Sequence, residues 1–353
     1  MNFKIKKSNL TFLVLFLVNL LVSVLAFFVL PDKFFNDAEV IVKDIYNQEG
    51  FIGSYPFAIF FYKYTFLKYL PYPLIGFFQY IILIYIIYKI GVPKNFHILN
   101  VRNILVYIGF FMLAIFVSMP SKEFITFVVV STIPIVYSNP NKSIKFKVIY
   151  SLILLALFSF YRSYFLFIPI ISIGMYFFTF LKLKNKAFLS IIFGVFISIL
   201  ISIVIASIEG TYITESTREM VNEIRGNTSE AQSKFVSPVE PNTWYGESIS
   251  IIYGFLAVNI PIIETFKHIL KPQIIVFIIW QLFLFYILLK KLSKSLKNKE
   301  KYKLELWILL ILFSYYIVQA LFEPDLASAV RHKMGFFPLI YYVFYYENFK
   351  RKV

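Results

Sequence analysis

The chain has 353 residues, 59% of them hydrophobic, and its mean hydropathy of +0.74 excludes an ordinary soluble domain. Its net charge of +16 invites a nucleic-acid partner, but 22 of the 35 Lys and Arg sit in short loops between long apolar runs. The excess therefore reads as membrane topology and attraction to anionic lipid heads, with no nucleic acid implied. The absence of Cys excludes disulfides and thiol chemistry, and the three His have no metal-ligand spacing, so neither a metal nor a cofactor is expected.

In chain order, Lys4, Lys6 and Lys7 precede the first apolar run, 10–30. This run is longer than the apolar core of a secretory signal and lacks a small-residue cleavage site, so it reads as a retained anchor. About 20 apolar residues cross a bilayer as a helix, and continuous rather than alternating runs favour helices over a barrel. Nine further spans are expected at roughly 71–89, 103–119, 124–138, 148–161, 164–181, 187–207, 273–289, 304–321 and 335–346. The loops holding Lys89, Lys94 and Arg102, then Lys142, Lys145 and Lys147, then Lys182, Lys184 and Lys186, then the run from Lys290 to Lys303, are basic, as is the tail Lys350, Arg351 and Lys352. Cytoplasmic loops collect Lys and Arg. The pattern predicts an all-α polytopic integral membrane bundle, residues 1–353 forming one membrane domain of about ten transmembrane helices. Both termini are expected in the cytoplasm and the bundle in a bacterial inner membrane. The spans at 124–138, 148–161 and 335–346 are short for a full crossing.

Two outer stretches are substantial. Residues 31–70 begin acidic and end in the aromatic YPFAIFFYKYTFLKYL, which is expected to lie along the interface as a helix. Residues 208–272 hold the polar TESTREMVNEIRGNTSEAQSK and the Pro-rich SPVEPNTW. Within them, 247–266 is apolar enough to enter the membrane. A full crossing there would move Lys290–Lys303 outside, so a re-entrant or surface-lying segment is expected.

Ionisable groups in or near hydrocarbon are expensive and are usually retained for a reason. Four clusters fall on the expected outer face. Met119-Pro120-Ser121-Lys122-Glu123 places two opposite charges in a tight connection. Glu123 is a candidate general base and Lys122 a phosphate partner, against the plainer reading of an ion pair capping a helix. Arg162 stands alone between two apolar spans, suited to fork onto pyrophosphate oxygens or to snorkel. Glu323-Pro324-Asp325 precedes Arg331-His332-Lys333, an anion site in which His332 is a candidate proton shuttle. Asp37 and Glu39 are paired carboxylates able to activate a hydroxyl or bind a divalent cation, or simply an acidic loop. Arg218 and Arg225 are candidate contacts for a polyanionic or sugar ligand, or parts of a solvated helix face.

Convergent cations beside a carboxylate and a His suit a reaction on a lipid-linked phosphate. Arg162, Arg331 and Lys333 would hold pyrophosphate, and Glu123, His332 or Asp37 would take the proton of an incoming sugar hydroxyl. No phosphate-binding Gly-rich loop is present, so nucleotide-driven chemistry is not expected. On its basic cytoplasmic loops, its long outer loop at 208–272, the Pro120–Glu123 turn, Arg162 and Arg331-His332-Lys333 ahead of Phe336-Phe337-Pro338, the chain resembles the O-antigen and capsular polysaccharide polymerases of the Wzy and EpsG type. A spaced Arg-to-Gly pattern of some members is not evident in the long loop, where Gly226 follows Arg225 directly. The resemblance implies transfer of a growing glycan from undecaprenyl pyrophosphate to a lipid-linked acceptor, with a chain-length regulator as a possible partner protein. Two other readings stay open. One is a GT-C-type transferase using a lipid-phosphate sugar through Asp37 or Glu39. The other is a lipid-linked oligosaccharide flippase, although transporters usually hold their ionisable groups near the bilayer midplane.

Overall fold

The computed structural model describes residues 6–225, 233–262 and 272–350. Among them the chain is helical, the exception being one isolated bridge between Lys234 and Asp325. The chain divides into two units, Met1–Ser151 with Phe158–Ser163 and Arg331–Val353, and Leu152–Leu157 with Tyr164–Val330.

In the first unit, α1 (Lys7–Val29) runs beside α4 (Tyr72–Ile90). Gly76 permits the close approach, since a Cβ there would lie 2.6 Å from the Ser23 carbonyl oxygen. Between them, α2 (Asn36–Lys43) packs on α3 (Ser54–Tyr64). Next come α5 (Val101–Met112), continued by a π turn at Leu113–Val117, then α6 (Lys122–Tyr137) and α7 (Ile144–Leu157), which leads into the second unit.

The second unit is organised around one helix. α8 (Phe167–Phe178), α9 (Lys186–Glu209), α11 (Trp244–Asn259) and α12 (Pro272–Lys297) all pack against α13 (Lys303–Phe322), whose residues from Glu305 to Leu321 are buried. A short helix α10 (Met220–Arg225) follows a π turn at Glu215–Glu219. A helix apolar on all sides is stable only inside a large core or a membrane. The chain returns to the first unit within α14 (Leu326–Gly335) and ends in α15 (Phe337–Phe344) and α16 (Tyr346–Lys350).

Five helices among the described residues are long and apolar enough to cross a membrane: α1, α4, α9, α12 over Ile274–Lys297, and α13. The other five expected spans fall on shorter helices. The last of them differs most. Residues 335–346 contain an eight-residue helix, about 12 Å long at the standard rise. All eight residues are buried in the first unit, where α15 packs on α6. Polar bonds tie this broken stretch down: Tyr345 Oη donates to Asn103 Oδ1 at 2.7 Å, and Tyr341 Oη donates to the Gly91 carbonyl at 2.7 Å. The basic run also differs from the expected loop. α12 continues eight residues past 289, with Lys294 and Lys297 in its last turn, where the helix dipole favours cations. Within the apolar stretch 247–266, residues up to 259 belong to α11, packed on α9 and α13, and 263–271 lie outside the described residues.

Candidate functional site

The site begins at the N-terminus of α6. Ser121 is its N-cap, extended at φ −152° and ψ 152°, and its side chain accepts from Phe124 N at 3.2 Å. The cap starts the helix at Lys122 and puts Glu123 in the first turn, where the dipole suits a carboxylate. The preceding turn is fastened from behind. Ser121 N donates to Tyr62 Oη at 3.0 Å. In the amide orientation that satisfies both ends, Gln79 accepts from Tyr62 Oη at 2.7 Å and donates to the Ser118 and Met119 carbonyls at 2.8 and 3.0 Å. Tyr161 Oη donates to the Lys122 carbonyl at 2.8 Å.

Around this helix start the first unit gathers six of the ionisable residues singled out in the sequence. Asp37 Oδ2 lies 2.8 Å from Arg331 Nη2 and 3.5 Å from Lys122 Nζ. Glu123 Oε1 accepts from Arg162 Nη2 at 2.8 Å and lies 3.0 Å from His332 Nε2. Glu123 Oε2 is buried and accepts no hydrogen bond among the described residues. The cluster is graded in access: the Glu123 and Arg162 side chains are 1% and 5% exposed, whereas Asp37, Arg331 and His332 are 21%, 24% and 17% exposed. A ligand therefore meets Asp37, Arg331 and His332 first, with Glu123 behind them. Lys333 is fully buried on the same helix, α14.

Tyr55 completes the arrangement. Its hydroxyl donates to Asp37 Oδ1 at 2.7 Å, and Lys122 Nζ sits 3.5 Å from its ring centroid, a cation–π contact. Burial alone would raise the Asp37 carboxyl, but the Lys122 and Arg331 charges outweigh it and hold the group well below the usual carboxylate range. Burial, followed by the Asp37 charge, pushes the Tyr55 phenol well above its ordinary value, so it remains a donor. Tyr55, Tyr62, Tyr161 and Gln79 are not apparent from sequence reasoning. The available signal is the seven-residue spacing of Tyr55 and Tyr62, which puts both on one face of α3.

The remaining candidates behave differently. Glu39 pairs with Lys43 at 3.2 Å on an open face of α2. Asp325 caps α14, accepting from Ser328 N at 2.8 Å and Ser328 Oγ at 2.9 Å, and Glu323 accepts from Gln319 Nε2 at 3.1 Å, both in the second unit. Arg218 differs from an accessible ligand contact. It is fully buried in the second unit, and its five donors go to Glu219 Oε1, the Ser250 carbonyl and hydroxyl, and the Ala320 carbonyl. No fork is left for a phosphate. The Arg225 side chain lies outside the described residues. Among the described residues no group of three or more His, Asp and Glu is arranged to hold a metal ion.

The arrangement offers an imidazole backed by a carboxylate, a buried guanidinium beside it, and, across Asp37, the partly exposed Arg331 guanidinium facing the buried Lys122 ammonium. These are the parts of a general base next to an anion site. No protein-family model, curated protein or solved structure matches this chain.

Proposed function

We propose that this chain is a membrane glycosyltransferase that polymerises lipid-linked oligosaccharide repeat units, of O-antigen or capsule type, at the outer face of a bacterial inner membrane. It acts without nucleotide, metal or other cofactor. The observation that carries the reading is the convergence on Glu123 of Arg162 and His332, from segments 39 and 209 residues away (162 − 123 and 332 − 123), in a chain otherwise dominated by apolar packing. Burying such groups is costly, and helix packing alone does not require them.

In this reading the bundle crosses the membrane about ten times with both termini cytoplasmic. The broken stretch 335–346 serves as the last crossing, its irregular backbone shielded by protein. The cluster then sits at the outer end, at the depth of a lipid diphosphate. Arg331 and Lys122 bind the diphosphate, with Arg162 and Lys333 adding positive field behind it. Glu123 orients His332 and stabilises its charged form. The acceptor hydroxyl oxygen attacks the anomeric carbon of the donor glycan, and the carbon–oxygen bond to the diphosphate breaks. The electron pair leaves with undecaprenyl pyrophosphate, and the hydroxyl proton passes to His332. The diphosphate is already an activated leaving group, so positioning and electrostatics suffice. A chain-length regulator would be the protein partner.

The test supplies purified chain with undecaprenyl-pyrophosphate-linked oligosaccharide and neither nucleotide nor metal. Polymer ladders are expected, and Arg162→Met is expected to abolish them with membrane insertion intact. Transfer of a single sugar, or strict metal dependence, overturns the reading. A second reading, a GT-C-type transferase, draws on Asp37 belonging to the same cluster. It requires that Asp37→Asn abolish transfer while Arg331→Ala is tolerated.

A further inference from the structure

We propose that Lys122 and Arg331 form a diphosphate-binding site that Asp37 occupies in the unliganded protein, as a resident carboxylate that the incoming diphosphate displaces. The inference rests on the reading of the same site given above and gives Asp37 a role other than base.

The geometry separates the two oxygens of Asp37. Oδ1 is anchored, accepting from Tyr55 Oη at 2.7 Å. Oδ2 faces both cations, at 2.8 Å from Arg331 Nη2 and 3.5 Å from Lys122 Nζ, and is held there by charge without a directed hydrogen bond. A diphosphate oxygen matches Oδ2 in charge, acceptor character and distance. A planar guanidinium beside a compact ammonium is also a pairing suited to phosphate, the first as a fork and the second as a point charge. The path to the cation pair lies on the Arg331 side, because the Asp37 and Arg331 side chains are partly exposed while Oδ2 itself, Lys122 and Glu123 are buried beneath, so the diphosphate enters as the carboxylate swings out. Displacement requires that Asp37 give up the Tyr55 bond and rotate about its own side-chain bonds, while α2, with Ala38 and Ile41 buried, stays packed on α3.

Such an occupant has two consequences. It keeps two cations paired when no substrate is bound, which lowers the penalty of holding them in a poorly solvated place. It also taxes affinity, because the ligand binds only the fraction of molecules whose cation pair is open. Removing the carboxylate should therefore tighten anion binding, the reverse of what removing a base or a metal ligand does.

The experiment measures inorganic pyrophosphate binding to the full chain in detergent by calorimetry, with farnesyl diphosphate as a competitor in the same micelles. Asp37→Asn, which preserves shape, is expected to bind pyrophosphate on the order of tenfold more tightly than wild type. Tyr55→Phe, which removes only the anchor on Oδ1, is expected to tighten it about twofold. Arg331→Met combined with Lys122→Met is expected to abolish binding. Displacement by farnesyl diphosphate assigns the site to a lipid-borne diphosphate, and its failure to displace assigns the site to a free one. Equal or weaker binding by folded Asp37→Asn, or no binding by any variant, overturns the proposal. Should Asp37→Asn fail to fold, Tyr55→Phe decides by the same sign. The readout needs no transfer, so tightened pyrophosphate binding without polymer ladders would sink the polymerase reading and leave the displacement of Asp37 standing.

Discussion

Both units bury an arginine beside a carboxylate, yet the two arrangements are built for different ends. In the second unit, Arg218 donates to carbonyls and a hydroxyl that belong to its own neighbours, and Gly254 makes room for its guanidinium. Nearby, Glu247 accepts from Ser202 Oγ at 2.5 Å, from Thr214 N at 3.2 Å and from Thr214 Oγ1. Every strong group there has local, mostly neutral partners, and the effect is to fasten α11, α13 and the 214–219 segment together. In the first unit, Glu123 shares one oxygen between Arg162 and His332 and offers the other, Oε2, to nothing described. A saturated network is a structural staple. One with an open acceptor and graded access is equipped to exchange partners.

Disabling each network conservatively, with activity and stability read together, separates a staple from a working site. In the first unit, His332→Ala is expected to lower turnover by about 10²–10⁴-fold, the range for losing a general base, with little change in thermal stability. Activity should be read as polymer ladder intensity over time, and stability by unfolding in detergent. If His332→Ala keeps wild-type turnover, the contrast between the units loses its functional side. In the second unit, Arg218→Met is expected to destabilise the protein by about 3–5 kcal/mol, because it removes in one step the bonds to the Ser250 carbonyl and hydroxyl and the Ala320 carbonyl and leaves Glu219 without its cation. The folded fraction that remains should turn over normally per molecule. A folded, inactive Arg218→Met would return Arg218 to the list of substrate contacts.

The Asp37 side of the cluster adds a pH signature. Its folded-state carboxyl is depressed below the unfolded value of about 3.9, so its contribution to stability is fully present above that value. The contribution shrinks as pH falls below it and disappears as pH passes through the depressed folded value. Unfolding of wild type and Asp37→Asn should therefore differ by a constant amount from neutral pH down to about 5, and the two curves should converge below about 4. Parallel curves down to the lowest accessible pH would mean that Lys122 and Arg331 do not hold the carboxylate in solution.

The two regions also differ in how legible they were. Asp37, Lys122, Glu123, Arg162, Arg331 and His332 stand out in sequence because each is an ionisable residue at the end of an apolar run, where it has no solubility role. Arg218 is a candidate on different ground, a cation inside the polar stretch of the long outer loop, and it is saturated; nothing in a residue's identity tells whether its donors will meet a ligand or a neighbour's carbonyls. The five long spans follow from hydropathy alone. The eight-residue α15 does not, since hydropathy reports burial and not whether lipid or protein provides it. The extension of α12 through Lys290–Lys297 was hidden because basic loops and basic helix ends share one composition. The supporting tyrosines were hidden by abundance: among 26 Tyr, only contact geometry separates Tyr55 and Tyr62 from those facing lipid.

Solvent exposure sets the outer limit of the network in the first unit. Glu39 sits two residues from Asp37 on the same short helix, and its pair with Lys43 has the same formal chemistry as the Asp37 contacts. Its side chains are 47% and 59% exposed, so water screens the pair and competes for both partners. An i,i+4 pair of this kind contributes about 0.3–0.5 kcal/mol at most. Lys43→Ala should therefore change unfolding by no more than that and leave pyrophosphate affinity and polymer ladders as in wild type. Calorimetric titration of the variant in the same detergent checks it directly. A several-fold change in affinity would extend the anion site along the exposed face of α2, and the boundary drawn here between a screened pair and a functional one would have to move outward by one helical turn.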